Sequence, residues 1–243
     1  SDRFSYVERP AYESTIYGVE RVDNRLGATV VFAPGRRARD GLLGVQLDYE
    51  LRNVSFLNDG AGLTIQQRSE KQSHTISLDS RWRFLPKNFL TFDVSYTSND
   101  YNDFESDPEL SAEDVSRDST PLRVELGLTG LVTKRFSVFF KGGYGNTFNK
   151  NGTSFEGFIG LFQLSYIYAP RFEVSVGYQR DGQDSGFSNF FVLDRVYTKG
   201  SFRVSNKLHI TGNLSYDLYQ YDSTNAVDDI GRIDPVIRGQ IGI

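Results

Sequence analysis

The chain of 243 residues contains no cysteine and no methionine, and it has only one tryptophan and two histidines. Without cysteine there is neither a disulfide framework nor a thiolate nucleophile. The mean hydropathy is −0.42, and no run approaches the roughly 18 consecutive apolar residues that a transmembrane helix requires. The formal net charge of −4 does not suggest a nucleic-acid partner. Since no signal peptide is present, we expect a mature or trimmed chain whose export signal was removed.

Long alternation of apolar and polar residues is the dominant feature of the sequence, and it is clearest over 163–220. Apolar side chains occupy every second position from Phe172 to Tyr178, and again from Leu208 to Leu218. A period of two indicates a strand with one apolar and one polar face. Strands of soluble sheets usually run about 5 to 6 residues, whereas a tilted strand that crosses a bilayer needs roughly 10. The pattern therefore predicts transmembrane strands.

The connections between the alternating segments are of two kinds. Short turns at 86–88, 133–134, 169–170 and 205–206 interleave with longer, polar loops at 57–70, 99–119, 149–152, 181–186 and 222–231. Such asymmetry is typical of an up-and-down membrane barrel with its turns in the periplasm. Together with a weak first strand at 13–21, the count is twelve. We predict an all-β transmembrane antiparallel up-and-down β-barrel of 12 strands over 13–243, with short periplasmic turns, longer extracellular loops and a periplasmic lead-in at 1–12.

Aromatic residues cluster beside the short turns. Tyrosine and tryptophan concentrate at membrane interfaces because their rings are apolar and their polar tips seek water. We expect Tyr96, Tyr144 and Tyr178 to contribute to an outer girdle. A soluble β-sandwich or lipocalin-like barrel is the alternative, in which the apolar face would line a core. The predicted periplasmic girdle consists of Trp82, Phe84, Phe89, Phe136, Tyr166, Tyr168 and Phe172.

The polar face of the predicted strands is rich in charge. Charges that faced water would line a weakly selective channel, whereas charges that paired across strands, as Glu125 and Lys141 could, would brace a narrow barrel shut. The sequence leaves both readings open. The predicted lumen-lining residues are Asp48, Glu50, Arg52, Asp79, Arg81, Arg83, Asp93, Arg123, Glu125, Lys141, Glu173, Arg195, Lys199, Arg203, His209 and Asp217.

A family resemblance rests on the hairpins of residues 160–221. The motifs are Tyr166 followed by the run from Pro170 to Phe172, the run from Val176 to Arg180, and Asp194 with Arg195. They resemble the repeating hairpins of the bacterial putative β-barrel porin families found beside exopolysaccharide-export and envelope-sorting genes. The resemblance implies an outer-membrane pore, or the barrel component of a larger envelope machine.

Catalytic and metal-binding readings are weak. His74 falls on the apolar set of its strand, and His209 is about 27 Å along its strand from Asp217, the nearest acid on the same face. The acidic loop 99–119 could take up Ca²⁺ but lacks the spacing of a calcium loop, so a solvated acidic loop is favoured. We predict no enzyme activity, no metal and no cofactor.

The sequence thus predicts a non-enzymatic barrel of the bacterial outer membrane, with both termini in the periplasm. Its expected partners are outer-membrane lipid, lipopolysaccharide and other envelope proteins, and not nucleic acid. The favoured function is a porin-like channel or the barrel of an export complex. A closed barrel that anchors an envelope assembly for motility or polysaccharide secretion is the main rival, and an outer-membrane hydrolase with His74 near a serine and an acid is the third hypothesis.

Overall fold

The computed structural model describes residues 2–7, 21–34, 42–56, 70–101, 118–169, 171–185, 189–205, 208–222 and 232–242. Within these ranges the chain is all-β, and it contains no helix long and apolar enough to cross a membrane. The strands are β1 (Asp2–Val7), β2 (Arg21–Phe32), β3 (Leu43–Phe56), β4 (Lys71–Leu85), β5 (Asn88–Tyr101), β6 (Leu122–Leu131), β7 (Phe136–Asn146), β8 (Glu156–Ala169), β9 (Phe172–Asp184), β10 (Phe190–Arg203), β11 (His209–Tyr221) and β12 (Ile233–Gly242).

All of these strands belong to one sheet in which neighbours in sequence are neighbours in space. The eleven strands β2 to β12 follow an antiparallel up-and-down path, which confirms the all-β meander predicted from the alternation. The short strand β1 pairs with β2 and lies in the segment expected to be a lead-in. The predicted first strand at 13–21 falls almost wholly outside the described residues.

The sheet is not closed by hydrogen bonds. Each described pairing joins consecutive strands, and β12 is paired along one edge only, with β11. Strand order and direction therefore agree with the expectation, whereas closure into a barrel and the count of twelve membrane strands stay predictions.

Short and longer connections separate to opposite ends of the sheet, because every strand reverses direction. The strand ends that flank the short connections lie at one end, namely those between β4 and β5, β6 and β7, β8 and β9, and β10 and β11, together with the facing ends of β2 and β3. Two predicted loop boundaries were wrong: β5 continues to Tyr101, inside the predicted loop 99–119, and β9 continues to Asp184, inside the predicted loop 181–186. Asp181 to Asp184 pair with Leu193 to Phe190. Backbone pairing with β10 therefore keeps this segment in a strand, although its composition is typical of a turn.

The register assigns a face to every strand residue. On one face, large apolar side chains are exposed, among them Leu126 at 64% and Ile237 at 74% of the full side-chain surface. On the other face lie most of the charged and amide side chains. The register also assigns the two faces of β8, which are both apolar in the sequence. Ser165 pairs with Ser175 on the polar face. Phe158 and Phe162 therefore lie on the apolar face.

The polar face is concave. Asn99 of β5 hydrogen-bonds Asp184 of β9 at 2.6 Å, although the two strands are four places apart in the sheet. In a flat sheet four strand spacings would separate them by about 19 Å. The sheet must therefore curl strongly between β5 and β9, with the polar side inside the curve.

Glycine on β7 permits part of this curvature. A Cβ atom added at Gly143 would overlap the carbonyl oxygen of Val124 in the neighbouring strand. Backbone cannot swing away as the end of a flexible side chain can. Gly143 is thus a point where the sheet tolerates no side chain on its concave face.

We expect Gly143→Ala to lower the free energy of unfolding by about 1–3 kcal/mol, since overpacking against backbone forces the ladder to shift. Gly44→Ala is the matched control, because Gly44 is on the same face and a Cβ there meets nothing within 4 Å. Chemical denaturation followed by circular dichroism measures both. Equal stability of the two variants would contradict this role of Gly143.

Candidate functional site

The concave face gathers all sixteen predicted lumen-lining residues. A single row of paired residues crosses nine strands, and every predicted residue belongs to this row or is an even number of positions from it on the same strand. The sequence predicted this set from alternation alone, and the pairing places it on one common surface. The row is Gly44, Arg81, Thr91, Gly127, Lys141, Leu161, Gln179, Arg195 and Asp217.

Lys141 ties three strands together on this face. Its Nζ lies 2.8 Å from Glu125 Oε2 and 3.1 Å from Asp93 Oδ2. The ion pair of Glu125 with Lys141, considered from the sequence, is present. Asp79 pairs in register with Asp93, so three carboxylates stand side by side on β4, β5 and β6 next to one ammonium group.

Two aspartates on this face are each shared by two arginines. Asp217 is fully buried and accepts two hydrogen bonds from Arg195, both at 2.8 Å, while Arg238 Nη1 lies 3.4 Å from its Oδ2. At the other side of the sheet, Asp23 pairs with Arg52 at 2.6 Å and with Arg25 at 3.2 Å. Bidentate guanidinium–carboxylate pairs of this kind hold neighbouring strands in a defined register.

Polar contacts also bridge the concavity near the end with the longer connections. Asp184 Oδ2 accepts hydrogen bonds from Asn99 Nδ2 at 2.6 Å and from Ser119 Oγ at 2.7 Å. Arg123 of β6 binds Asp181 at 3.0 Å and the carbonyl oxygen of Gly182 at 2.7 Å. Sequence reasoning missed this cluster because it placed Asp181 and Asp184 in a loop. A cavity of about 340 Å³ lies between these contacts and β3 to β5.

Apolar packing fills a further part of the concave side. Phe191, Leu193, Tyr219 and Tyr221 form a buried cluster on β10 and β11. Phe155, which precedes β8, packs with Ile159 and Val192 and lies against Gly182. At the end of the sheet with the longer connections, these side chains therefore fill part of the concave side.

A second cavity, of about 690 Å³, opens on the concave face of β8 to β12. Its wall includes three cationic side chains, Arg195, Lys199 and Arg238. Most of the other residues of the wall are neutral and polar, with Asn213 and Gln240 the nearest to Lys199 in register, and Leu161 and Ile237 are apolar. A related cavity of about 430 Å³ adjoins it and adds Glu173 and Ser175.

Six of the seven predicted periplasmic girdle residues share the apolar face near the short connections. Trp82 is 52% exposed and Tyr168 is 64% exposed, while Phe136 and Tyr166 pack ring to ring at 4.6 Å. Phe84 and Phe172 lie on the same face. Phe89 is different: it pairs with Arg83 and lies beneath the Arg81 guanidinium at 4.8 Å, on the concave face. The assignment of Phe89 to the girdle was wrong: it is two positions from Thr91, so the alternation of β5 places it on the concave face.

A row of five tyrosines marks the opposite side of the apolar face. Each of the strands β3, β5, β7, β9 and β11 carries one, and all are exposed by 40–46%. Three of these residues were expected in an outer girdle, and the register adds two more. The row consists of Tyr49, Tyr96, Tyr144, Tyr178 and Tyr216.

The two histidines lie on opposite faces of the sheet. Nδ1 of His74 lies 2.8 Å from the Tyr49 hydroxyl on the apolar face, and His209 pairs in register with Arg203. No group of three or more metal-ligating side chains occurs among the described residues. Most of the acidic loop considered for Ca²⁺ lies outside those residues.

No protein-family model matches this sequence, and no curated protein does so either. The resemblance to porin-like families stays an expectation from the hairpin motifs. The two faces of the sheet and their side chains are therefore the features that bear on function.

We expect Asp217→Asn to lower the free energy of unfolding by about 1–3 kcal/mol, because it removes the carboxylate that two arginines share in a buried position. Asp234→Asn on the adjacent β12 is the matched control, since Arg232 in that pair is 61% exposed and exposed pairs contribute less than about 1 kcal/mol. Denaturant titration of the two variants measures the difference. An equal loss in both would show that the Asp217 pairs add nothing beyond a surface ion pair.

Proposed function

We propose that the chain forms a closed transmembrane β-barrel of the bacterial outer membrane and acts, without catalysis, as a porin-like channel or as the barrel of an export complex. The observation that carries this proposal is the inversion of the sheet: its convex face is apolar and exposed, and its concave face is charged and internally paired. Soluble sheets place their faces the other way round.

Exposure of the apolar convex face to water would be unfavourable, which supports a lipid environment for this face. Each Å² of apolar surface that leaves water contributes roughly 25 cal/mol. Contiguous apolar patches on soluble monomers rarely exceed a few hundred Å². Here exposed residues such as Val30, Leu126, Phe162, Val196 and Ile237 spread across the sheet from β2 to β12. A bilayer covers such a surface at no cost in hydration.

The two aromatic rows support the same placement. On β7, Phe136 belongs to the row at the short connections and Tyr144 to the opposite row. At about 3.3 Å per residue and a tilt of about 40°, the eight positions between them span roughly 20 Å. That height is comparable with the apolar band of about 25 Å between the girdles of membrane barrels.

Closure follows from the same physics. In hydrocarbon, each unpaired backbone donor or acceptor costs several kcal/mol, so an open sheet edge does not occur there. We infer that the free edge of β12 pairs with the first strand of the chain in the membrane. Twelve strands would then leave both termini at the short-turn side, in the periplasm.

A channel is favoured over the closed anchoring barrel by the distribution of interior space. The concave face of β8 to β12 retains cavities of about 690 and 430 Å³ lined by polar groups. The bridge from Asn99 and Arg123 to β9 narrows the interior at one end. A wide interior with a constriction at one end is what a small selective pore requires.

We expect Leu126→Arg to destabilise the refolded protein in lipid by about 2–4 kcal/mol, the cost of a cationic side chain near the bilayer midplane. Leu126 is 64% exposed, so the same change on a soluble surface would be nearly neutral. Thr129→Arg, on the concave face of the same strand, is the control and should cost much less. Unfolding in urea from lipid vesicles measures both, and a neutral Leu126→Arg would contradict a lipid-facing β6.

The refolded protein should produce discrete conductance steps in a planar lipid bilayer. The polar concave face supplies a hydrated path for ions, and Asn99 with Asp184 lies at its narrow end. Asn99→Ala together with Ser119→Ala should raise the single-channel conductance, because the two substitutions open the bridge to β9. Stable insertion with no conductance in any variant would remove the channel and leave the anchoring barrel.

A further inference from the structure

The cavity on β8 to β12 has the size and lining of a binding site. Its volume of about 690 Å³ is within the range of roughly 300–1,000 Å³ in which small molecules bind. Apart from Leu161 and Ile237, its wall carries amide, hydroxyl and cationic side chains. Such a lining favours a polar solute that forms many hydrogen bonds.

The charge of this wall is positive. Arg195 and Arg238 share the single carboxylate of Asp217. Lys199 has no carboxylate within ion-pair distance in the described part of the chain, and its Nζ stands 4.6 Å from the centre of the Tyr197 ring. Among the described residues of the two cavity walls and their ion pairs, the three cations exceed the carboxylates of Asp217 and Glu173 by one. The wall thus favours an anion.

Asn213 provides an unused acceptor beside Lys199. The two residues pair directly across β10 and β11, and Asn213 pairs with Gln240 on β12. Asn213 Oδ1 is buried, and no described group donates a hydrogen bond to it. A buried acceptor without a donor lowers the stability of the fold. A rotation of the Asn213 amide toward the cavity would let a hydroxyl group of a bound solute donate to this oxygen.

Tyr197 gives the site a rigid floor. Tyr197 is buried, with 6% of the residue exposed, and its ring lies against Gly177 of β9, where any Cβ would overlap the ring. Its hydroxyl donates a hydrogen bond to Gln163 Oε1 at 2.8 Å. The orientation of the ring is therefore set by packing and by a hydrogen bond, and it holds Lys199 above it.

We propose that this wall binds an organic anion that also carries hydroxyl groups, of the class of sugar acids. Lys199 and the two arginines attract the carboxylate, and Asn213 accepts from a hydroxyl group. The inference rests on the proposed channel in one respect, since it names the class of solute that the interior would favour. The site itself requires only the fold of β8 to β12.

Isothermal titration calorimetry on the full chain refolded in detergent tests the site, with glucuronate, glucose and acetate as probes. Glucuronate should bind more tightly than either of the other two, because only it offers both a carboxylate and hydroxyl groups. Lys199→Gln should weaken glucuronate binding about tenfold and leave glucose unchanged. Lys199→Arg should retain most of the affinity. Asn213→Leu should weaken both sugars, and circular dichroism verifies that each variant is folded.

Lys71→Gln is the matched control, since Lys71 lies at the other cavity of the concave face, and it should leave glucuronate binding unchanged. Equal affinity for glucuronate and acetate, or an equal loss in Lys71→Gln and Lys199→Gln, would overturn the sugar-acid site. Conductance in planar bilayers is recorded with the same preparations. Glucuronate binding without conductance would remove the channel and keep the site, whereas conductance without selective binding would remove the site and keep the channel.

Discussion

The antiparallel ladder is the constraint on which the rest of this structure depends. In such a ladder, directly paired residues lie on the same side of the sheet, so the face of one residue determines the face of its neighbours on every other strand. A slip of one position between β10 and β11 would move Asp217 to the apolar side, away from Arg195. The ion pairs at Asp217, Asp23 and Lys141 each select the observed register and are made possible by it.

Curvature is the second determinant, and it comes from local features that act together. Gly143 admits close approach of β7 to β6, and Gly177 receives the ring of Tyr197. The end of β9 then reaches back to Asn99 and Arg123. These contacts join strands that are distant in the sheet, so they stabilise the bend itself rather than any one hairpin. They also decide which end of the concavity is narrow.

Part of the charge on the concave face is neutralised by ion pairs between neighbouring strands. Lys141 offsets part of the carboxylate group around Asp93, and Arg123 is held by Asp181. Charges committed in this way brace the strands and contribute little to the attraction of a solute. Lys199 and the doubly shared Asp217 are different, since they leave positive charge at the wall of an open cavity. The attraction of a solute to this face therefore depends on the charge that remains after ion pairing and not on the total number of charged residues.

Much of the architecture could be predicted from the sequence, because a period of two and the spacing of turns are local properties. The segment from Phe172 to Tyr178 reveals its own apolar and polar faces without reference to any other strand. The alternation likewise identified sixteen polar residues of the concave face, from Asp48 to Asp217, although this set does not include Asp23, Asp181 or Arg238. Strand β8 could not be assigned in this way, because Phe158, Ile159 and Leu161 make both of its faces apolar, and only pairing with β7 and β9 separates them.

Only the tertiary structure decided the contacts between residues that are far apart in the chain. Alternation did not show that Phe89 belongs under Arg81, that β9 extends to Asp184, or that Asn99 and Ser119 meet that carboxylate. Nor could it show that Lys199 and Asn213 adjoin one cavity. The physical reason is that local periodicity specifies which side of a strand a residue occupies. The register, the bulges and the curvature of the whole sheet specify what it meets there.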